Sequence, residues 1–151
     1  MQDLVKDRPN HILNKDVEKR EAIAKEILEA SYVYPVAFPE LILFISYRES
    51  QFNPKAIGDG GKSTGIMQLG FVARRVCKKD MGLDLRKRSN QLKCGAYWVQ
   101  RFAEECGSLH SGLAAYNSKK GRCGGTPRGA RMARHRIRMA RRMRDARFAS
   151  N

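Results

Sequence analysis

One carboxyl in this chain stands where a proton donor could be built. In PELILFISYRES (residues 39–50), Ile42, Ile45 and Glu49 share a helical face through i+3 and i+7 spacing. The Glu49 carboxyl therefore emerges from an apolar stripe at the carboxy end of a helix. Desolvation and the negative end of the helix dipole both disfavour its ionisation. A carboxyl that keeps its proton near neutral pH can give it to a departing oxygen, which is the work of a general acid. The same residues also fit an ordinary ion pair with Arg48 or another arginine, and this helix alone does not separate the two. Three further polar residues attract notice: Asp59, Tyr116 and Asn117. By themselves they read as an Asx-type turn residue, an amphipathic core residue and a helix cap.

The elements that must position these groups are mostly helical. Asp16 is a plausible N-cap for an amphipathic helix to about Ser31, carrying Val17, Ile23, Ile27 and Leu28. Residues 1–14 read as an irregular lead-in. Pro39-Glu40 is a good helix opening, and the helix behind it is apolar on nearly every side, so it belongs in the middle of the fold. QFNPKAIGDGGKSTG has a proline and four glycines in fifteen residues, which allows a short β-ribbon and no long element. Helical patterns resume over Gln68–Lys79, Asn90–Cys106 and Ser108–Ser118. A second glycine-rich loop, KKGRCGGTPRGA, precedes a basic amphipathic helix over Arg131–Phe148, its earliest start near residue 128. That helix has eight arginines in eighteen residues. Met132, Met139, Met143 and Ala146 fall on one face, to be docked at least partly by the methionines. Arg131, Arg134, Arg138 and Arg142 lie roughly opposite. No internal repeat or linker divides the 151 residues, so a single domain is expected.

Composition narrows the classes. The apolar fraction of 42% is that of a folded globular protein, and no apolar run reaches the length of a membrane span. The amino end lacks an apolar segment behind a basic head, so synthesis in a cytoplasm without a signal peptide is expected. Thirty basic residues against fifteen acidic leave a net charge of +15, which predicts attraction to polyanions. Anionic envelope lipids or polymers suit the basic helix. Nucleic acid is disfavoured, because no stacking aromatics sit among the arginines. Cys77, Cys94, Cys106 and Cys123 form no C-x-x-C pair, and His11, His110 and His135 are scattered, which argues against zinc. Buried or idle thiols are the expected state, with one or two disulfides of unspecified pairing as the alternative after export. No metal or organic cofactor is called for.

Four short motifs give these parts a context. ELILFISYRESQFNPKAIG holds the Glu49-Ser50 pair and the stretch Phe52, Asn53, Pro54 and Ala56. Gly65-Ile66-Met67-Gln68 follows, then Cys94–Val99 (CGAYWV), then Ala114–Asn117 (AAYN). In this order they resemble the soluble lytic transglycosylase (SLT) domain and its relative, goose-type lysozyme, over about residues 36–121. The resemblance implies a mainly α, lysozyme-like fold with a catalytic cleft, acting on bacterial peptidoglycan. It implies that Glu49 is general acid and then general base. Ser50, Met67 and Gln68 line the cleft, and Tyr116 and Asn117 face Glu49 from another helix.

Mechanism divides on the count of carboxylates. An inverting hydrolase needs a second one to activate water, and goose-type lysozymes have an Asp at the place of Asp59. Their further acid after the M-Q pair is Leu69 here. With Glu49 alone secure, the expectation is a lytic transglycosylase that forms 1,6-anhydro-MurNAc. A muramidase using Glu49 and Asp59 is the alternative. A non-catalytic basic protein that binds nucleic acid or membrane on the same scaffold is the competitor of another class. AYNSKKG replaces the usual A-Y-N-A-G, with two lysines at the cleft edge, and beyond Arg122 the resemblance fades. The compact unit resembles a bacteriophage endolysin, a monomer made in the host cytoplasm and acting on the wall after release.

Overall fold

The computed structural model describes residues 16–118 and 121–149. The irregular lead-in and the pair Lys119-Lys120 lie outside the described residues. The described chain is mainly helical, with one small sheet. In order it forms α1 (Val17–Val33), α2 (Pro39–Ser50), β1 (Ile57–Gly58), a 3₁₀ turn (Asp59–Gly61), β2 (Ser63–Thr64) and β3 (Leu69–Gly70). Then come α3 (Phe71–Lys79), α4 (Arg88–Cys106), α5 (Leu109–Asn117) and α6 (Pro127–Ala149). Among the described residues no helix is long and apolar enough to cross a membrane.

Asp16 caps α1 as expected, its carboxylate accepting from the Lys19 N–H at 2.9 Å. The buried face of α1 is narrower than its apolar content suggests: Ile23, Ile27 and Ala30 are buried, whereas Val17 and Leu28 are exposed. In α2 every residue from Glu40 to Ser46 is buried, which fits its all-round apolar pattern. The helix is enclosed by α1 on one side and α6 on another, while α4 packs on α1 and α5, and α5 on α6. A main core joins Ile42, Ile45, Phe52, Ile66, Leu92, Leu113 and Ile137. A second cluster under α3 gathers Leu69, Cys77, Leu85, Cys94 and Trp98.

The glycine-rich segment after α2 does hold a ribbon. Three two-residue strands pair antiparallel in the order β1-β2-β3, Ile57 facing Thr64 and Ser63 facing Gly70. The helix expected from Gln68 begins only at Phe71. Gln68 has φ 51° and Leu69-Gly70 pair with β2, so the ribbon claims those three residues first. The last helix starts earlier than expected, at Pro127. Thr126 caps it, its Oγ1 accepting from the Gly129 N–H at 3.0 Å, and proline suits the first helical turn.

The side of α6 that docks also differs from expectation. Gly129, Ala133, Arg136, Ile137 and Ala140 are its buried residues, while Met132, Met139 and Met143 flank them half-buried and Ala146 is exposed. Small residues allow the close approach to α2 and α5, and one arginine stands among them. Arg131, Arg134, Arg138, Arg141 and Arg142 are exposed.

All four cysteines are paired, Cys77 with Cys94 and Cys106 with Cys123, which corrects the expectation of idle thiols. The first bridge ties α3 to α4; the second ties the end of α4 to the loop before α6. Each spans a sequence separation of 17, for which loop-closure entropy alone predicts roughly 3 kcal/mol of stabilisation per bridge. Thermal melts with and without a thiol reductant should show a clearly lower midpoint for the reduced protein. Equal midpoints after verified reduction would remove this role.

A close contact between α4 and α5 depends on Gly112. A Cβ there would lie 2.4 Å from the Ala103 backbone nitrogen and 2.5 Å from its Cα. Because backbone cannot give way as a side chain tip does, Gly112→Ala should cost about 1–3 kcal/mol, read as a lowered melting temperature.

Candidate active site

Glu49 lies in the last turn of α2, and the chain behind it turns sharply. The N–H of Gln51 returns to the carbonyls of Ser46 and Tyr47, and Gln51 and Phe52 both take positive φ, 52° and 64°. The left-handed pair sends Phe52 back into the core, where it is 1% exposed. The other described non-glycine residues with positive φ are Asp59 and Gln68. All four lie between Glu49 and the end of the ribbon, so the strained backbone is confined to one region of the fold.

Each short motif has a local physical task there. Ser50 Oγ reaches the Ile66 carbonyl at 2.7 Å and accepts from the Asn53 N–H, stitching the end of α2 to the ribbon. Asn53 makes an Asx turn, its Oδ1 accepting from the Lys55 N–H. Gln68 Nε2 donates to the carbonyls of Ala56 and Gly65, closing the loop on itself. A Cβ on Gly58 would fall 2.3 Å from Gln68 Oε1, so this position is kept bare. Met67 is 1% exposed and fills the space left by Gly95, where a Cβ would meet its sulfur at 2.1 Å. Gln91, from α4, was not anticipated. Buried beneath the ribbon, it accepts from the Ile66 N–H at 2.8 Å and donates to the carbonyls of Pro54 and Leu85.

A cleft of about 820 Å³ opens between the helices and the ribbon. One wall is Glu49 with Tyr116, Asn117 and Ser118. The other carries Gly58, Asp59, Lys62, Ser63 and Gln68, with Gly70, Phe71 and Arg74 at the start of α3. Five of the seven expected site residues thus meet at one surface. Ser50 and Met67, expected to line the cleft, stand behind its wall instead, because their side chains are spent on the ribbon and the core. Sequence patterns did not mark Lys62, Phe71 or Arg74 as site residues. Phe71 is 67% exposed at the edge of the cleft. Its place after the M-Q box and next to a glycine was the available signal.

Tyr116 donates its hydroxyl to the Met67 carbonyl at 3.0 Å. Burial first, then the charge of Glu49, pushes its phenol up from the ordinary value, against a smaller opposite effect of Arg136. It therefore remains a neutral donor wherever the enzyme could operate. Asp59 sits in the exposed 3₁₀ turn, its Oδ2 accepting from Ser63 Oγ at 3.0 Å.

The partner of Glu49 is Arg136, from the basic helix. Arg136 Nη2 donates to Glu49 Oε1 at 2.5 Å and Nη1 to Asn117 Oδ1 at 2.7 Å, with the arginine side chain 5% exposed. The arginine option considered for Glu49 is thus realised, though by a residue 87 positions away. Its guanidinium faces the carboxyl directly, a contact that α2 alone does not offer. Asn117 also donates to the Gly129 carbonyl at 3.4 Å. Ser118, where the AYN motif departs from the usual sequence, donates to the Ala114 carbonyl and accepts from the Thr126 N–H. These contacts seat α6 against the cleft wall. Among the described residues no three His, Cys, Asp or Glu side chains converge in a way that could hold a metal ion.

A single carboxyl at the end of a buried helix, facing a short ribbon across a cleft, defines a lysozyme-like fold. The chain matches the transglycosylase SLT domain over residues 27–135 and belongs to that family. Membership implies the lytic transglycosylase class of enzyme and peptidoglycan as its substrate. The match runs past Arg122 into α6, so the basic helix begins within the family domain rather than after it. No curated protein and no solved structure matches the chain.

Proposed function

We propose that this protein is a peptidoglycan lytic transglycosylase that cleaves the MurNAc-GlcNAc β-1,4 bond, with Glu49 as its only catalytic carboxylate. Glu49 gives its proton to the departing GlcNAc O4 as the bond to MurNAc C1 breaks. The resulting carboxylate then takes the proton of the C6 hydroxyl as that oxygen closes on C1, forming 1,6-anhydro-MurNAc without water. The observation that carries this reading is the asymmetry between the two acids of the cleft. Glu49 is mostly buried and fixed by a charged partner, while Asp59 is exposed in a turn and committed to Ser63. Lys62 and Arg74 give the opposite wall a positive character suited to the carboxylates of the stem peptides. Phe71 offers a ring for stacking on a sugar face.

Beyond the reaction, the reading extends to a monomeric bacteriophage endolysin for host cell lysis. It is made in the host cytoplasm and acts on the wall once the inner membrane is breached. Two disulfides and a net charge of +15 support work outside a reducing compartment, on an anionic envelope. Digestion of purified peptidoglycan, followed by mass spectrometry of the muropeptides, tests the chemistry. Ends bearing 1,6-anhydro sugar are expected. Reducing ends, lost on Asp59→Asn, would replace this reading with a two-carboxylate muramidase; release of no fragments would remove both.

A further inference from the structure

We infer that Arg136 is a positioning residue for the catalytic carboxyl, dictating which of its two oxygens carries the proton. The inference rests on the role proposed above for Glu49. Arg136 reaches the site from α6, one residue beyond the end of the family match, and it is the charged residue in a docking stripe otherwise made of Gly129, Ala133, Ile137 and Ala140. Burial of a guanidinium is costly unless its donors are satisfied. Here two of its nitrogens are used on two different elements, Nη2 on Glu49 Oε1 and Nη1 on Asn117 Oδ1.

A guanidinium has donors only. When Glu49 is protonated, Oε1 still faces the Nη2 hydrogen, and a carbonyl oxygen accepts from a guanidinium more strongly than a hydroxyl oxygen does, which favours Oε1 as the carbonyl. The proton is therefore held on Oε2, which has no hydrogen-bond partner among the described residues. In the carboxylate form the same contact neutralises the charge left after proton donation. One buried cation thus serves both halves of the cycle without changing partners. Its planar fork also fixes the Glu49–Asn117 spacing, which a lysine ammonium, a compact point charge, would not reproduce. The tyrosine of the site contributes differently: Tyr116 holds the Met67 carbonyl and with it the ribbon.

The test compares wild type, Arg136→Ala and Arg136→Lys on soluble glycan strands at saturating concentration, with thermal melts of each. A misplaced carboxyl predicts a fall in kcat of about 100-fold for Arg136→Ala with little change in KM, and recovery of about tenfold by added methylguanidinium. Arg136→Lys, which keeps the charge and loses the fork, should fall in between. A folded Arg136→Ala with wild-type kcat, or with lost activity that methylguanidinium does not restore, overturns the inference. If Arg136→Ala does not fold, arginine side-chain NMR of the intact protein decides. Resolved Arg136 Nη signals that collapse in Glu49→Ala support the bridge, and signals indifferent to Glu49→Ala overturn it. Wild type inactive on every peptidoglycan substrate would instead overturn the reading of Glu49 itself, whatever the NMR shows.

Discussion

Glu49→Gln should abolish release of muropeptides from purified peptidoglycan, lowering turnover by at least about 10³-fold, because one carboxyl acts in both proton transfers. The substitution separates chemistry from architecture. An amide keeps the shape of the side chain and an oxygen that can still accept from Arg136 Nη2, so the bridge to Asn117 survives. What disappears is the exchangeable proton and the negative charge. Stability should fall by only about 1–2 kcal/mol, since a hydrogen bond to a charged group becomes one to a neutral group at a partly exposed site. Circular dichroism and a melting curve close to wild type, with no product, is the expected combination. Substantial residual activity would sink the assignment of Glu49. Asp59→Asn is the companion measurement. With Asp59 occupied as the acceptor of the Ser63 hydroxyl, an amide oxygen can take over that turn contact. Activity within a few-fold of wild type and unchanged 1,6-anhydro ends are then expected. Complete loss would make Asp59 a second catalytic carboxylate.

The parts of this site that sequence made legible are those written in local patterns. Ile42, Ile45 and Glu49 repeat at helical spacing, Asp16 and Pro39 open their helices, and the broken stretch around Asp59 and Gly60 can only be loop and ribbon. Residues whose work is done over long distances were harder to read. Gln91 sits within an ordinary helical pattern, and its three bonds under the ribbon depend on how α4 is docked. Arg136 is one of nine arginines in α6, and nothing in composition distinguishes it. The distinguishing fact is its phase: with Ala133, Ile137 and Ala140 it falls on a stripe of small and aliphatic residues. The methionines share a helical face, yet the close packing of α6 is made by the smaller residues beside them. Cysteine pairing was illegible for a similar reason, since it depends on which loop ends the fold brings together. Membership in a motif does not say whether a residue faces the cleft, as Gln68 does, or holds it from behind, as Ser50 and Met67 do.

The placement of Arg136 changes what is expected of the basic helix. Truncation before Pro127 should yield an unfolded or molten chain, inactive on purified wall and on whole cells alike. It removes Ala133, Ile137 and Ala140 from the main core, exposes the α2 and α5 faces they cover, and leaves Glu49 without its partner. That loss would exceed the stability of most domains of this size, about 5–15 kcal/mol. Deleting the helix therefore cannot reveal what its outer charges do. Replacing Arg131, Arg134, Arg138, Arg141 and Arg142 by glutamine can, because all five are exposed and none belongs to the docked stripe. The five-fold variant should melt near wild type and digest purified peptidoglycan at a similar rate. It should act more weakly than wild type on whole cells at low ionic strength, and the gap should close as salt screens the attraction. Equal activity on cells at every salt concentration would end the envelope-binding role of the outer face. A parallel loss on purified wall would show that these arginines bind the wall itself. In neither case would the task of Arg136 be touched, since it works from the buried side of the same helix.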